Sequence, residues 1–441
     1  MNNTGSLKRT DAARMGDALA GLLAGRGLPT AVAAVLLAIL LISFKPFVEQ
    51  GPSETGGDIV NQLGFGGLGA VSIFCLFTLV DRRRLACLLS PWWLVLLGFF
   101  MLSVLNATDP SSAFRTAVFT LIGVLAAITV VVLPRDADAF SAALAAAGFA
   151  LLGFCYVGLV LYPDLAKHTA NSLEPEHAGF WRGTFSHKNI AGPVMACISL
   201  AGLHLLRRGW TWTGGSLFVL AIFFMSNTGS KTTVGLVPLA VLLVIGPSLF
   251  GLRRLVPLVF LGALGAATVG TVGIVLSDTL WGYSQQIAPG LTYTGRTALW
   301  SFLIEMIGKK PWFGYGYESF WGTPFIFTID QPFDRAWDIR GIVHGHNGYL
   351  DLAVLMGLPA LAAAMIAFIL VPLRDFLRVP HRRENVLVAD LFMSILLFTA
   401  LNALLESFFF RRVDPVWIFF VIAIFGLRFA ARFPISTRAS D

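Results

Sequence analysis

Charge is scarce in this chain. Only 13% of its 441 residues are Asp, Glu, Lys or Arg, about half the share of a soluble domain, which excludes an ordinary water-soluble fold. Cysteine is scarcer: Cys75, Cys87, Cys155 and Cys197 lie in or beside apolar runs with no CxxC spacing. A disulfide framework is therefore not expected, and the four read as small buried hydrophobes. There is no HExxH, no paired cysteine near a histidine and no acidic cluster, so no metal is expected. No stretch satisfies G-x-x-x-x-G-K-[ST] within alternating strands and helices, and no basic patch is interleaved with aromatics. Nucleotide cofactors and nucleic-acid partners are excluded on those grounds.

Apolar residues fill the gap, at 56%. Twelve runs are candidates for membrane helices: 28–44, 63–80, 91–105, 116–133, 140–161, 190–206, 212–226, 233–249, 255–276, 349–373, 387–404 and 415–431. The third and seventh are the shortest. The expected fold is an all-α integral membrane protein of about 12 transmembrane helices. The +7 net charge concentrates in alternate short connections: Lys8, Arg9, Arg14 and Arg26; Arg82–Arg84; Arg207-Arg208; Arg253-Arg254; and Arg374, Arg378, Arg382 and Arg383. The positive-inside rule makes these cytoplasmic, with both termini, and puts the long 277–348 connection outside. The tail 1–27 lacks the h-region and cleavage site of a signal peptide, so the first span is expected to be retained.

The expected organisation is a cytoplasmic tail (1–27), amino-terminal spans with an outer loop at 162–189 (28–209), a core carrying the outer loop 277–348 (210–373), and carboxy-terminal spans and tail (374–441). A loop of about 70 residues between spans is long enough to carry function. Within it, Leu299, Phe302, Leu303, Met306 and Ile307 recur at helical spacing after Thr294, a candidate N-cap. Gly308, Lys309, Lys310 and Pro311 supply a stop. This amphipathic helix is expected along the outer interface, with Trp300 and Trp312 at headgroup level.

Four clusters can carry chemistry. Arg296 falls in the first turn of that helix, where unpaired N–H groups and a guanidinium suit an anion; an arginine snorkelling at the interface is the plainer reading. His346-Asn347 stands where the chain re-enters the membrane. Asn347 suits an N-cap, and a helix N-terminus favours the neutral imidazole that a general base needs. Asp351, one turn on, can orient its neighbours. A structural histidine, or a pair of metal ligands with His344, are the alternatives. The run from Trp181 to Asn189, with Arg182, His187, Lys188 and Asn189, suits a pyrophosphate or a sugar, or is ordinary polar enrichment at a span end. Lys231 in Ser226–Thr233 suits an anionic lipid group. The short outer connection 405–414 adds Glu406, Arg411 and Arg412.

Together these motifs resemble the O-antigen ligase and polysaccharide polymerase superfamily of bacterial envelopes. As in its ligases, His346-Asn347 is followed after nine residues by Gly357, although Ala360 departs from the residue expected next. Arg296 with Leu299 is similar to the family's loop arginine motif, with the leucine one residue early. Ser230-Lys231-Thr232 resembles its Ser-Arg-Thr element with lysine for arginine. Gly183–Asn189 is similar to the Phe-Gly/Ser-His-Lys-Asn signature of exopolysaccharide polymerases.

The resemblance implies a membrane glycosyltransferase of the inner membrane, active on the periplasmic face without metal or cofactor. Its donor would be a glycan on undecaprenyl pyrophosphate, and its acceptor a glycan or lipid A core. Membrane lipids, chain-length regulators and export proteins are the further partners implied. His346, Arg296 and Lys231 would be catalytic; Arg182, His187, Lys188, Asn189, Asn347 and Arg411 would bind substrate. Polymerisation of repeat units is favoured by the Ser-His-Lys-Asn run, with ligation to lipid A core as the alternative. A transporter or flippase is a third class, but the chain has no internal repeat and few intramembrane charges beyond Asp390.

Overall fold

A bilayer offers the backbone no hydrogen-bond partners, so apolar runs cross it as helices that satisfy their own N–H and C=O groups. The computed structural model describes residues 25–47, 59–170, 174–290, 292–329 and 338–437; all but the end of the expected tail 1–27 lies outside them. Among the described residues the protein is all-helical, and nine helices are long and apolar enough to span a membrane.

In chain order the main helices are α1 (Gly27–Ile42), α2 (Ile59–Thr78), α3 (Arg82–Leu88), α4 (Pro91–Leu105), α5 (Pro110–Val132), α6 (Ala137–Leu161), α7 (Lys188–Arg207), α8 (Thr211–Ser226), α9 (Lys231–Leu249) and α10 (Arg253–Leu276). Next come α11 (Asp278–Ile287), α12 (Arg296–Lys309), α13 (Gly348–Met356), α14 (Leu358–Leu377), α15 (Arg383–Asn402) and α16 (Pro415–Arg432). The bent pair α3 and α4, at 68°, makes a tenth apolar unit, and α1 and α8 are shorter apolar helices. All twelve expected runs thus fall on helices.

Burial separates centre from rim. The spanning windows of α15, α16 and α7 are 89%, 83% and 78% buried, against 28% for α9 and 22% for α10. The first three are hydrophobic all round because helices surround them; the last two face lipid. The α7–α8 hairpin closes on two glycines. A Cβ on Gly202 would lie 2.6 Å from the Phe218 nitrogen, and one on Gly214 would lie 2.5 Å from that of Leu206, so only glycine lets the backbones meet.

The basic connections converge at one end of the bundle. Asp390, fully buried, pairs with Arg207 at 2.9 Å and Arg253 at 3.3 Å. Arg208 pairs with Asp138 and Glu384, both at 2.8 Å, and Arg26 pairs with Asp136. Asp390 is therefore a clasp between basic loops, which accounts for a charge inside a span.

The expected tenth span is broken, which corrects the single run 349–373. Gly357 separates α13 from α14 with φ 86°, and a Cβ there would lie 2.2 Å from the Trp312 carbonyl oxygen. The break exposes carbonyls that the 311–316 segment satisfies: Tyr315 donates its N–H to Val354 at 2.8 Å and Gly316 to Leu355 at 3.0 Å. Leu358 in turn donates to Pro311 at 2.7 Å.

The α12 region also departs from expectation. Its helix is present with the expected apolar face, but Trp300 is fully buried rather than at headgroup level. Leu299, Trp300, Phe302, Leu303, Met306 and Ile307 form a second core with Leu350, Ala353 and Val354 of α13. The apolar face of α12 therefore packs on protein. Trp312, 69% exposed, stays at the surface. Thr294 does not cap the helix, because Tyr293, Thr294 and Gly295 all have positive φ (49°, 60° and 82°) and Gly295 takes the N-cap position. The helix runs through Gly308 to Lys309 and stops before Pro311.

Candidate active site

The end of the bundle away from the Asp390 clasp gathers the starts of α7, α12 and α13 and the α15–α16 connection. Glu406 is its hub. Its Oε1 accepts from Arg296 Nη2 at 2.8 Å, its Oε2 meets His346 Nδ1 at 3.1 Å, and Arg296 Nη1 donates to the Leu405 carbonyl at 2.6 Å. All three side chains are under 20% exposed. Burial alone would raise the Glu406 carboxyl; the His346 hydrogen bond and the Arg296 charge outweigh it and hold the group below its ordinary value. An ionised carboxylate only accepts, so the His346 proton lies on Nδ1 and the basic lone pair on Nε2.

The turn that presents His346 is held on every side. Gly345 donates its N–H to Asp351 Oδ2 at 2.8 Å, and its carbonyl accepts from the Trp300 indole at 3.1 Å. Asp351 Oδ1 takes the Trp321 indole at 2.8 Å, so it orients its neighbours as its place one turn below Asn347 suggested. A Cβ on Gly345 would lie 2.4 Å from Leu303 Cδ1 and 2.8 Å from Asp351 Oδ1. His346 itself has φ 48°, a left-handed backbone that a non-glycine residue holds only against surrounding packing. The His344 ring packs 4.2 Å from that of His346. Burial, then the charges of His346, Arg411 and Arg296, push the His344 imidazole well below its ordinary value.

Asn347 caps α13. Its Oδ1 accepts from Tyr349 and Leu350 at 3.1 Å, its Nδ2 donates to the Leu404 carbonyl at 3.1 Å, and its N–H meets Ser407 Oγ at 3.0 Å. It is fully buried, so its polar atoms tie α13 to the segment that carries Glu406. Arg411 donates to the Ser407 carbonyl at 3.2 Å and acts on His344 and Asp351 through its charge.

The 162–189 connection forms the adjoining wall. His187 caps α7, its Nδ1 accepting from Asn189 N–H at 3.0 Å, and its Nε2 meets Glu174 Oε2 at 2.7 Å. Arg182 is buried and donates to the Ser186 carbonyl at 3.0 Å. The Lys188 ammonium lies 4.7 Å from the Phe180 ring centre and interacts through its charge with Glu174, Glu406 and Arg296. Lys231 is exposed at the start of α9. A Cβ on Gly192 would lie 2.9 Å from Ser230 Cβ, so the starts of α7 and α9 touch.

Sequence reading named Arg296, His346, Lys188 and Arg411 separately; the fold brings them to one end. It missed the role of Glu406, and passed over His168, Glu174 and His177. No spacing could have found Glu406, which lies 110 residues from Arg296 and 60 from His346; the signal for the others was local, three histidines with Glu174 among them within 168–187. Two groups offer ligand atoms within 4.8 Å of one another, His168, Glu174, His177 and His187 in one, and His344, His346 and Glu406 in the other. The second group adds a carboxylate to the His344–His346 pair weighed as metal ligands.

Residues 214–365 match the family model described as O-antigen ligase. That stretch is similar to the O-antigen ligase family. The O-antigen ligase match contains Lys231, Arg296, His344, His346 and Asn347, while Glu406 and the 168–189 wall lie outside it. The match covers about a third of this multi-pass membrane protein, and that third is similar to the O-antigen ligases. No curated protein matches the chain significantly.

Proposed function

We propose that this protein is a glycosyltransferase of the bacterial inner membrane. It moves a glycan from undecaprenyl pyrophosphate to a sugar hydroxyl on the periplasmic face, most simply to polymerise repeat units of an exopolysaccharide or O-antigen. The observation that carries this reading is the Glu406 carboxylate held between Arg296 and His346. Glu406 keeps the basic nitrogen of His346 on Nε2, where it takes the proton of the acceptor hydroxyl. The acceptor oxygen then bonds the anomeric carbon as the bond to the lipid pyrophosphate breaks. The departing oxygen carries away the electron pair. Arg296 at the start of α12, with Lys231 at the start of α9, stabilises that negative charge. The donor is already activated by its phosphate linkage, so no nucleotide is needed. Both termini are then cytoplasmic by the charge of the short connections.

The Ser186-His187-Lys188-Asn189 run at the rim favours polymerisation; the O-antigen ligase match favours transfer to lipid A core as the second reading. Reconstitution with a defined lipid-linked repeat unit, followed by product sizing, tests the proposal. Ladders of repeat units are expected, and both His346→Ala and Arg296→Ala should abolish them at unchanged protein level in the membrane. Products appearing only on added lipid A core would establish the ligase reading. Movement of the lipid-linked sugar across liposomes with no glycosidic bond formed would sink both.

A further inference from the structure

Three histidines ring one carboxylate beside this site. His177 Nδ1 lies 3.0 Å and His187 Nε2 lies 2.7 Å from the same Glu174 oxygen, Oε2. The His168 ring packs edge-on at 4.9 Å from His187 and 5.6 Å from His177. The ring nitrogens are assigned by α7. His187 Nδ1 accepts the Asn189 amide at 3.0 Å, and His168 Nε2 accepts the Lys188 amide at 3.1 Å. Each of these rings therefore carries its proton on the other nitrogen.

A divalent metal would need a lone pair from each ring, and those of His168 and His187 are already engaged by backbone N–H groups. The cluster presents N–H donors instead, which is the chemistry of an anion pocket. His168 is 5% exposed, and with its Nε2 accepting from the Lys188 amide its proton sits on Nδ1. The Glu174 side chain, by contrast, is 43% exposed, so an incoming carboxylate that takes over its two hydrogen bonds can displace it into solvent. Lys188, next along the chain, interacts with both Glu406 and Arg296, which sets the pocket against the transfer site.

We infer that the His168–His177–His187 cluster is a carboxylate subsite for an acidic glycan, with Glu174 as the internal group that the substrate carboxylate replaces. This rests on the glycan-transfer reading and narrows its substrate class to units bearing a uronate or similar carboxylate. A pyrophosphate is the less suitable occupant, since the rings already seat a monoanionic carboxylate here, with Lys188 and Arg182 acting only from the edge of the cluster.

The test is calorimetric binding to the full-length protein in micelles, using a uronic-acid disaccharide and its neutral counterpart. The uronate should bind about tenfold tighter than the neutral sugar, the yield of one or two charge-assisted hydrogen bonds. His177→Ala should erase that preference. Glu174→Gln should strengthen uronate binding by about tenfold, because it removes the competing charge. Equal binding of the two sugars, or an unchanged preference in both variants, would overturn the inference. Inorganic pyrophosphate displacing the uronate from wild type, with its own binding lost in His177→Ala, would assign the pocket to the leaving group instead. Stoichiometric Zn²⁺ uptake that His177→Ala abolishes would make it a metal site. Binding needs no turnover, so failure here leaves glycan transfer to be judged by its own assay.

Discussion

Glu406 binds Arg296 through one carboxylate oxygen at 2.8 Å and His346 through the other at 3.1 Å. One side chain thereby sets the spacing between a candidate anion-binding group and a candidate base. The two come from opposite ends of a long connection and the carboxylate from a third segment.

Neutralising that bridge should separate orientation from folding. Glu406→Gln keeps the shape but loses the charge that holds the His346 proton on Nδ1. Glycan transfer should fall roughly 10²–10⁴-fold in kcat, with a smaller change in KM. Glu406→Asp should recover part of the loss. Single-turnover rates on reconstituted protein check this, and a Glu406→Gln enzyme with wild-type kcat would remove Glu406 from the mechanism.

Lys231 offers a cleaner electrostatic test, since it is exposed. Lys231→Arg keeps charge and donors and should stay within about tenfold of wild type, whereas Lys231→Ala should lose about 10²-fold. Equal activity of the alanine variant would leave Lys231 an ordinary surface cation.

Gly357 is a stability prediction. With φ 86° and the Trp312 oxygen 2.2 Å from a would-be Cβ, Gly357→Ala must displace the 311–316 segment or straighten α13 into α14. A loss of about 2–4 kcal/mol is expected, read as a lower Tm in detergent. Gly262→Ala, where nothing lies within 4 Å, is the control and should leave Tm unchanged.

Acid should loosen the 162–189 wall. Burial, then the charges of His187 and Arg182, lower His168 from 6.5 to about 4. The His187 hydrogen bond outweighs burial and lowers Glu174 from 4.5 to about 2. A histidine lowered in the folded state lets the unfolded chain bind the extra proton first, so stability falls as pH drops from 6.5 towards 4. The Glu174 contribution is present above pH 4.5 and fades towards 2, in the same direction. The first step is on the order of 1–3 kcal/mol. Tm measured from pH 7.5 to 4 should decline, and His168→Asn should flatten that slope; an equally steep slope in the variant would refute the assignment.

Some of this was legible beforehand because its cause is local. The twelve apolar runs became helices since the bilayer's demand on the backbone acts residue by residue. Asn347 caps α13 because an Asx side chain reaches the amides two and three residues ahead. The apolar stripe of α12 was also readable from spacing, but its partner was not: the same stripe suits lipid or protein, and packing against α13 decided for protein. Likewise nothing local marks Gly357 as the break in a span, since the clash that requires glycine comes from Trp312.

The sequence by itself therefore determined a membrane-embedded helical protein, its connections and the cations and histidines clustered in its outer connections. Only the tertiary structure decided that Glu406 joins Arg296 to His346, that Trp300 turns inward, and that His168, His177 and His187 surround Glu174. Hydropathy and capping depend on neighbours within a few residues, whereas the Glu406 and Trp300 contacts join segments 45 to 110 positions apart and the histidine cluster needs the 168–187 connection to fold back on itself. A carboxylate in a short loop looks the same in sequence whether it meets water or a buried arginine. Its meaning is set by what the folded chain brings within hydrogen-bond reach.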